Sequence, residues 1–193
     1  DPFNYLDSDP ERETDWQNFI GGNIKGGVNW NIDENHNVFV NMGDYSKQPF
    51  IDAVFQNFRN NINPNTRNEK VFGFELGYGY TSEKLRANVN LYRTEWKDRF
   101  KTVGFRDGDT RGTADLQGIK QLHTGVELDF EYLISDNFKL VGMGSFGDWE
   151  SAGNVSGTAF DDVDPVGVVN LYLDGVKVGN SAQTTARLGF DWD

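Results

Sequence analysis

Two groups of carboxylates have the types and spacing to do chemistry. Glu127, Asp129 and Glu131 alternate along one stretch, and paired carboxylates are the machinery of glycoside hydrolysis. Asp161, Asp162 and Asp164 crowd three carboxylates into four residues, enough hard oxygen for a loosely held Ca²⁺. Neither pattern is specific. Residues two apart on any β-strand share a face at about 7 Å intervals, so strand geometry alone produces the first group as an acidic stripe. The second lacks the ligand spacing and Gly of an EF-hand loop and reads as a solvated loop. His36 and His123 each lack a neighbouring histidine with which to hold a metal, and both read as structural. Asn154-Val155-Ser156 matches a glycosylation sequon by chance, and no Walker loop, nucleophile elbow or basic aromatic patch occurs. The expectation is a protein that is not an enzyme, with no cofactor, metal or nucleic-acid partner.

The elements that carry these residues speak more clearly. In Val71–Tyr80 the residues Phe72, Phe74, Leu76, Tyr78 and Tyr80 share one face, opposite Gly73, Glu75, Gly77 and Gly79, the two-residue period of a β-strand. Six more segments alternate in the same way: about Phe19–Ile32, Asn37–Ser46, Leu85 through Trp96 toward Phe105, Gln117–Ile134, Phe138–Trp149 and Gln183–Trp192. Their connections alternate in length. Asp33–His36, Thr81–Lys84 and Ser135–Asn137 are short turns rich in Asp, Asn and Ser. Lys47–Lys70, Lys101–Leu116 and Glu150–Ala182 are long, which commonly marks functional loops. Within the last, Val166–Tyr172 and Val176–Val178 flank Asp174-Gly175, a hairpin signal. The opening Asp1–Asn18 has no periodicity and reads as the end of another long loop.

Composition decides which way the faces point. No apolar run approaches the length of a transmembrane helix. In a membrane barrel only every second residue meets lipid, so low overall hydropathy is no objection. A soluble barrel would carry Lys, Glu and Thr opposite its apolar face. Here the opposite face holds Gly27, Gly73, Gly77, Gly79 and Gly189 with Asn residues, which suits a crowded, wet lumen. The apolar faces end in Tyr78, Tyr80, Tyr132 and Trp192, as interfacial girdles do. The fold expected is all-β: an antiparallel transmembrane β-barrel segment of about seven strands, with short periplasmic turns and long extracellular loops. A net charge of −12 argues against nucleic acid or anionic headgroups as partners. Zero Cys excludes disulfides and is compatible with an exported protein.

Two runs carry a resemblance. Asn68-Glu69-Lys70-Val71-Phe72-Gly73-Phe74-Glu75-Leu76-Gly77-Tyr78 and Asn88-Val89-Asn90-Leu91-Tyr92-Arg93-Thr94-Glu95-Trp96-Lys97-Asp98-Arg99 resemble TonB-dependent outer-membrane receptors, particularly those of Bacteroidetes. His123–Phe130 and Ala182–Thr185 fit the same likeness. The resemblance implies a bacterial outer-membrane protein that takes up a scarce nutrient through a barrel of about 22 strands closed by a plug. Its partners would be outer-membrane lipid, an extracellular nutrient ligand, the TonB complex acting through a plug this sequence lacks, and in some members a surface lipoprotein. Seven strands do not close such a barrel, so the whole sequence is expected to be one internal piece of it, without plug, TonB box or terminal aromatic. The family's substrate contacts lie in the upper lumen and outer loops. That implies substrate binding by Gln48 and Phe50 at a loop base, with Phe55, Phe58 and Arg59 nearby, and by Trp96 and Trp149 stacking on a sugar or siderophore ring. The alternative is a soluble all-β carbohydrate-binding or carbohydrate-cleaving domain.

Overall fold

A computed structural model describes residues 14–56, 60–161 and 164–192. The start of the opening stretch, Phe58, Arg59 and Asp162 lie outside the described residues. In chain order the elements are β1 (Asn23–Asn31), β2 (His36–Lys47), the single turn α1 (Ile51–Val54), β3 (Phe55–Gln56), β4 (Asn61–Ile62), β5 (Glu69–Thr81), β6 (Leu85–Asp107), β7 (Thr110–Ser135), β8 (Phe138–Ser151), β9 (Val155–Asp161), β10 (Asp164–Leu171) and β11 (Thr184–Trp192). The antiparallel wall runs β1-β2-β5-β6-β7-β8-β11 and does not close. All seven expected strands are present, and the three expected short turns join β1 to β2, β5 to β6 and β7 to β8.

Those turns are held by the side chains that foretold them. Asp33 Oδ1 accepts from the N–H groups of Asn35 and His36, each at 2.8 Å. Ser82 Oγ accepts from the Leu85 N–H at 3.1 Å. Asn35 Nδ2 donates to the Thr81 carbonyl at 2.6 Å, tying one turn to its neighbour.

Register turns the alternation into two continuous faces. One row of directly paired residues reads Val28, Val40, Leu76, Leu91, Val126, Phe146 and Thr184 across the wall. One residue along each strand lies the other face, where Glu75 pairs with Asn41 and Tyr92, and Asn90 with Glu127. Val28, Leu76, Leu91, Leu128, Phe146, Leu188, Phe190 and Trp192 are all exposed on the apolar face. The band they form drifts across the rows. It is centred near Val28 and Leu76 on β1 and β5, but near Phe130, Gly142 and Leu188, two rows further down, on β7, β8 and β11. About four residues of drift over six strand spacings corresponds to strands tilted by roughly 25°, a lean like that of barrel strands but smaller than the roughly 35–45° of closed barrels.

The hydrophobic core lies outside this band altogether. Among the described residues the buried apolar side chains are Ala53, Val54, Ala114, Leu116, Ile119, Val155, Ala159 and Phe160, all beyond the outer edge of the apolar band. Leu116, Ile119 and Val155 form a cluster packed by Val103, Leu171 and Leu173. Two expected loops are therefore corrected. Lys101–Leu116 is no loop: β6 and β7 continue as one paired hairpin to Asp107 and Thr110, because above the lipid a strand no longer needs an apolar face and its alternation disappears. Glu150–Ala182 does fold on itself, but Val166–Tyr172 and Val176–Val178 do not pair with each other. Instead β10 pairs with β9, and β9 with β7 over Thr113–Leu116. Asp174-Gly175 is a turn, with Gly175 at φ 73°, and it returns the chain along the end of β8 through a Lys177 to Glu150 bridge.

The face assignment makes a graded prediction for the full-length protein in bilayers. Leu128→Arg should cost about 2–4 kcal/mol, the penalty for Arg at mid-bilayer, whereas Glu127→Arg, one residue away on the other face, should cost much less. Urea unfolding measures both, and equal losses would reject the assignment.

Candidate functional site

Two glycines paired across β7 and β8, Gly125 and Gly147, open a shelf on the polar face near the outer end of the wall. The Tyr92 ring lies over Gly125, where a Cβ would come within 2.6 Å of Tyr92 Cζ; Trp149 lies over Gly147, where a Cβ would meet its Nε1 at 2.6 Å. Glycine is required here for space, since any side chain would lift the rings off the wall. So seated, Trp149 Nε1–H donates to Tyr92 Oη at 2.8 Å, and the His123 ring stacks on Trp149 with centroids 5.3 Å apart at 17°. Gln183 clamps the Trp149 backbone from the β11 side, its Oε1 accepting from the N–H at 3.0 Å and its Nε2 donating to the carbonyl at 2.9 Å. The outcome is an aromatic platform braced on the polar face.

Directly above it the sheet breaks step. Trp96 pairs with Gln121, but the next pair is Arg99 with Ile119 and then Phe100 with Gln117. Asp98 sits at φ 58° and Gly118 at φ 91°. Two residues of β6 opposing one of β7 is a β-bulge, which re-aims the side chains that follow. Residues three apart on a regular strand point to opposite faces. The bulge cancels that and brings the Arg99 guanidinium 5.2 Å from the centre of the Trp96 ring, with Nη1 hydrogen-bonded to Gln121 Oε1. The Asp98 carboxylate is held by Arg67 at 2.8 Å, and its carbonyl accepts from Gln117 Nε2 at 2.8 Å. Beyond the bulge opens a cavity of about 570 Å³ bounded by Arg99, Lys101, Gln121, Ser151, Leu173 and Val178 among others.

The wall thus has one face for lipid, one for water, and a cluster of Tyr92, His123 and Trp149 on the wet face near its outer end. The family described as TonB dependent receptor-like, beta-barrel, matches residues 9–193. The chain belongs to that family. No curated protein and no solved structure matches it. Family membership makes this chain part of an outer-membrane receptor barrel concerned with transport.

Within the receptor barrel the four residues expected to bind substrate separate into two places. Trp96 and Trp149 lie on the lumen face in successive rows, Trp96 with Gln121 and Ser151, Trp149 with His123. Gln48 and Phe50 follow the end of β2, beyond the intervening β5. Gln48 Nε2 donates to the Phe19 carbonyl at 2.8 Å, fastening the loop to the segment that leads into β1. Phe50 is exposed beneath the Lys47 ammonium, 4.0 Å from its ring centre. Lys47 also reaches the buried carboxylate of Glu69 at 3.2 Å. Of the acidic stripe, Asp129 accepts from Asn88 Nδ2 at 2.7 Å. Tyr92, Arg99, Gln121, His123 and Gln183 were missed by reading the sequence. Strand parity puts Tyr92 and His123 on the polar face, but their meeting with Trp149 needs the register, and Arg99 needs the bulge.

The Tyr92 and Trp149 rings are predicted to be coupled through their hydrogen bond. Tyr92→Phe and Trp149→Phe should each destabilise the full receptor by about 0.5–1.5 kcal/mol, and the double variant by less than their sum. A double-mutant cycle by denaturant unfolding measures this, and strict additivity would show the bond contributes nothing.

Proposed function

We propose that this chain forms part of the wall and outer vestibule of a TonB-dependent receptor of the Bacteroidetes type. It takes up a scarce nutrient, a siderophore, glycan or similar ligand, driven by energy relayed through a plug encoded outside these residues. The observation that carries this reading is the Tyr92, His123 and Trp149 platform, which faces the lumen at the foot of the outer arms. A ligand entering from outside passes over it. Flat aromatic faces suit ring-bearing ligands, and the paired glycines let these two rings seat against the wall. Trp96 and Trp149 serve as contacts along this path, while Gln48 and Phe50 shape the neighbouring loop base, against which a surface lipoprotein can close.

A soluble carbohydrate-binding domain would hide Leu128, Phe146, Leu188 and Phe190 rather than expose them together. Two measurements test the reading. In vesicles containing brominated lipid, single-tryptophan variants of the full receptor should be quenched at Trp30 and Trp192, on the apolar face, and not at Trp149. In cells, a panel of labelled ferric chelates and oligosaccharides should include a member that accumulates only with the receptor present and only while the proton gradient is intact. Receptor-dependent accumulation that survives an ionophore would sink the energised-uptake proposal.

A further inference from the structure

Arg99 is half-buried yet has no carboxylate within 4.0 Å among the described residues. Its nearest acids in sequence are already taken, Glu95 by Lys97 at 3.1 Å and Asp98 by Arg67 at 2.8 Å. What it does have is neutral: Gln121 Oε1 on one terminal nitrogen and the Trp96 ring beneath. Its Nε–H is enclosed and has no acceptor, and neither Gln117 Oε1 nor His123 Nε2, both enclosed nearby, has a partner. A half-buried charge without a counter-ion and an enclosed donor without an acceptor each cost free energy. In a chain with twelve more acidic than basic charges, leaving this guanidinium unpaired is a placement that needs a reason. The bulge at Asp98 and Gly118 is what carries it to the lumen side, beside the cavity. Lys101, on the wall of the same cavity, also has no ion pair among the described residues.

From this geometry we infer that Arg99 is the anchor for an oxyanion of the transported ligand, a carboxylate or a phosphate, whose ring rests on the Trp96 and Trp149 faces below. The inference rests on the uptake reading and narrows it from any scarce nutrient to an anionic, ring-bearing one. Guanidinium is the side chain that matches the geometry of both oxyanions with paired donors. The Trp96 ring, 5.2 Å from the guanidinium carbon, steadies the group from one side. Lys101 adds positive potential at the entrance. Of the other cations near this rim, Lys97 is held by Glu95, Arg67 by Asp98, and Lys177, which also borders the cavity, by Asp148 and Glu150, whose hydrogen bonds push its pKa up.

The test uses the full-length receptor in detergent, with its tryptophan indoles labelled with ¹⁵N and titrated with benzoate, phenyl phosphate and benzyl alcohol. The two anions should shift the Trp96 and Trp149 resonances saturably, binding at least about tenfold more tightly than the uncharged alcohol. Arg99→Gln should remove that advantage without changing the alcohol's affinity, and Arg99→Lys should keep part of it. Unchanged Trp30 and Trp192 resonances will show that the variants fold. A preference for benzoate identifies a carboxylate ligand and a preference for phenyl phosphate a phosphate. Anions that bind no more tightly than the alcohol, or Arg99→Gln that binds them like the parent, overturn the inference. Because the titration needs no energised membrane, its failure in a receptor that still accumulates a ligand rejects the oxyanion anchor alone.

Discussion

Hydrocarbon offers backbone N–H and C=O groups no partner, so a chain that crosses it by strands must satisfy them all from strand to strand. In this receptor wall that one constraint fixes nearly everything else. Strand-to-strand pairing across the wall dictates register; register dictates which residues share a face; and the period of two then sorts Val28, Leu76, Leu91 and Phe146 to lipid and Asn41, Glu75, Tyr92 and Gly125 to water. A slip of one residue anywhere would put Glu75 or Glu127 into lipid. The acidic stripe needs no catalytic purpose once this is seen. It is what remains on the wet side when its neighbours Val126, Leu128, Phe130 and Tyr132 are claimed by the dry one.

Where the constraint ends, a second kind of order begins. Inside the band the wall has no core of its own, and its large apolar side chains are exposed, waiting for lipid. Past its outer edge water satisfies the backbone, and folding again depends on burying apolar surface. Leu116, fully buried, with Ile119 and Val155, does this beneath the strands β9 and β10. Asp115 is buried there too, with Thr102 Oγ1 donating to its carboxylate at 2.8 Å. The β-bulge of β6 and β7 stands at the join, and Asp98 accepts its left-handed backbone there because Arg67 and Gln117 hold it.

Legibility in the sequence follows the same division. Val71–Tyr80 could be read as a strand from its residues alone because lipid on one side and water on the other impose strict alternation, and the turn at Asp33 because its side chain makes the turn's own bonds. Lys101–Leu116 could not, because outside the membrane nothing demands that alternation. The partner of Val166–Leu171 is local, the strand β9 just before it, but Val155–Asp161 carries no alternation to announce a strand and is itself held by β7, some forty residues earlier in the chain. The site divides likewise. Trp96 and Trp149 stood out as large rings near strand ends, and the paired register is what places them together on the polar face. Tyr92 joins them only through the pairing Tyr92 with Gly125. Arg99 was hidden most deeply, because parity counted from Trp96 assigns it to the wrong side.

The rim site therefore depends on two media at once. Its floor, Gly125, Gly147, Tyr92 and Trp149, belongs to the wall and is positioned by register that the bilayer enforces. Its roof, Arg99, Ile119 and Leu173, belongs to the water-borne arm and is positioned by burial around Leu116. The two halves are continuous through β6 and β7 and are tied further by the Arg99 bond to Gln121, the guanidinium over Trp96, and the Val178 and Val176 backbone bonded to Trp149 and Ser151 at 2.9 and 2.8 Å. Because β6 and β7 run through both, floor and roof belong to one paired sheet, and the bulge at Asp98 and Gly118 is where the register between them is re-set.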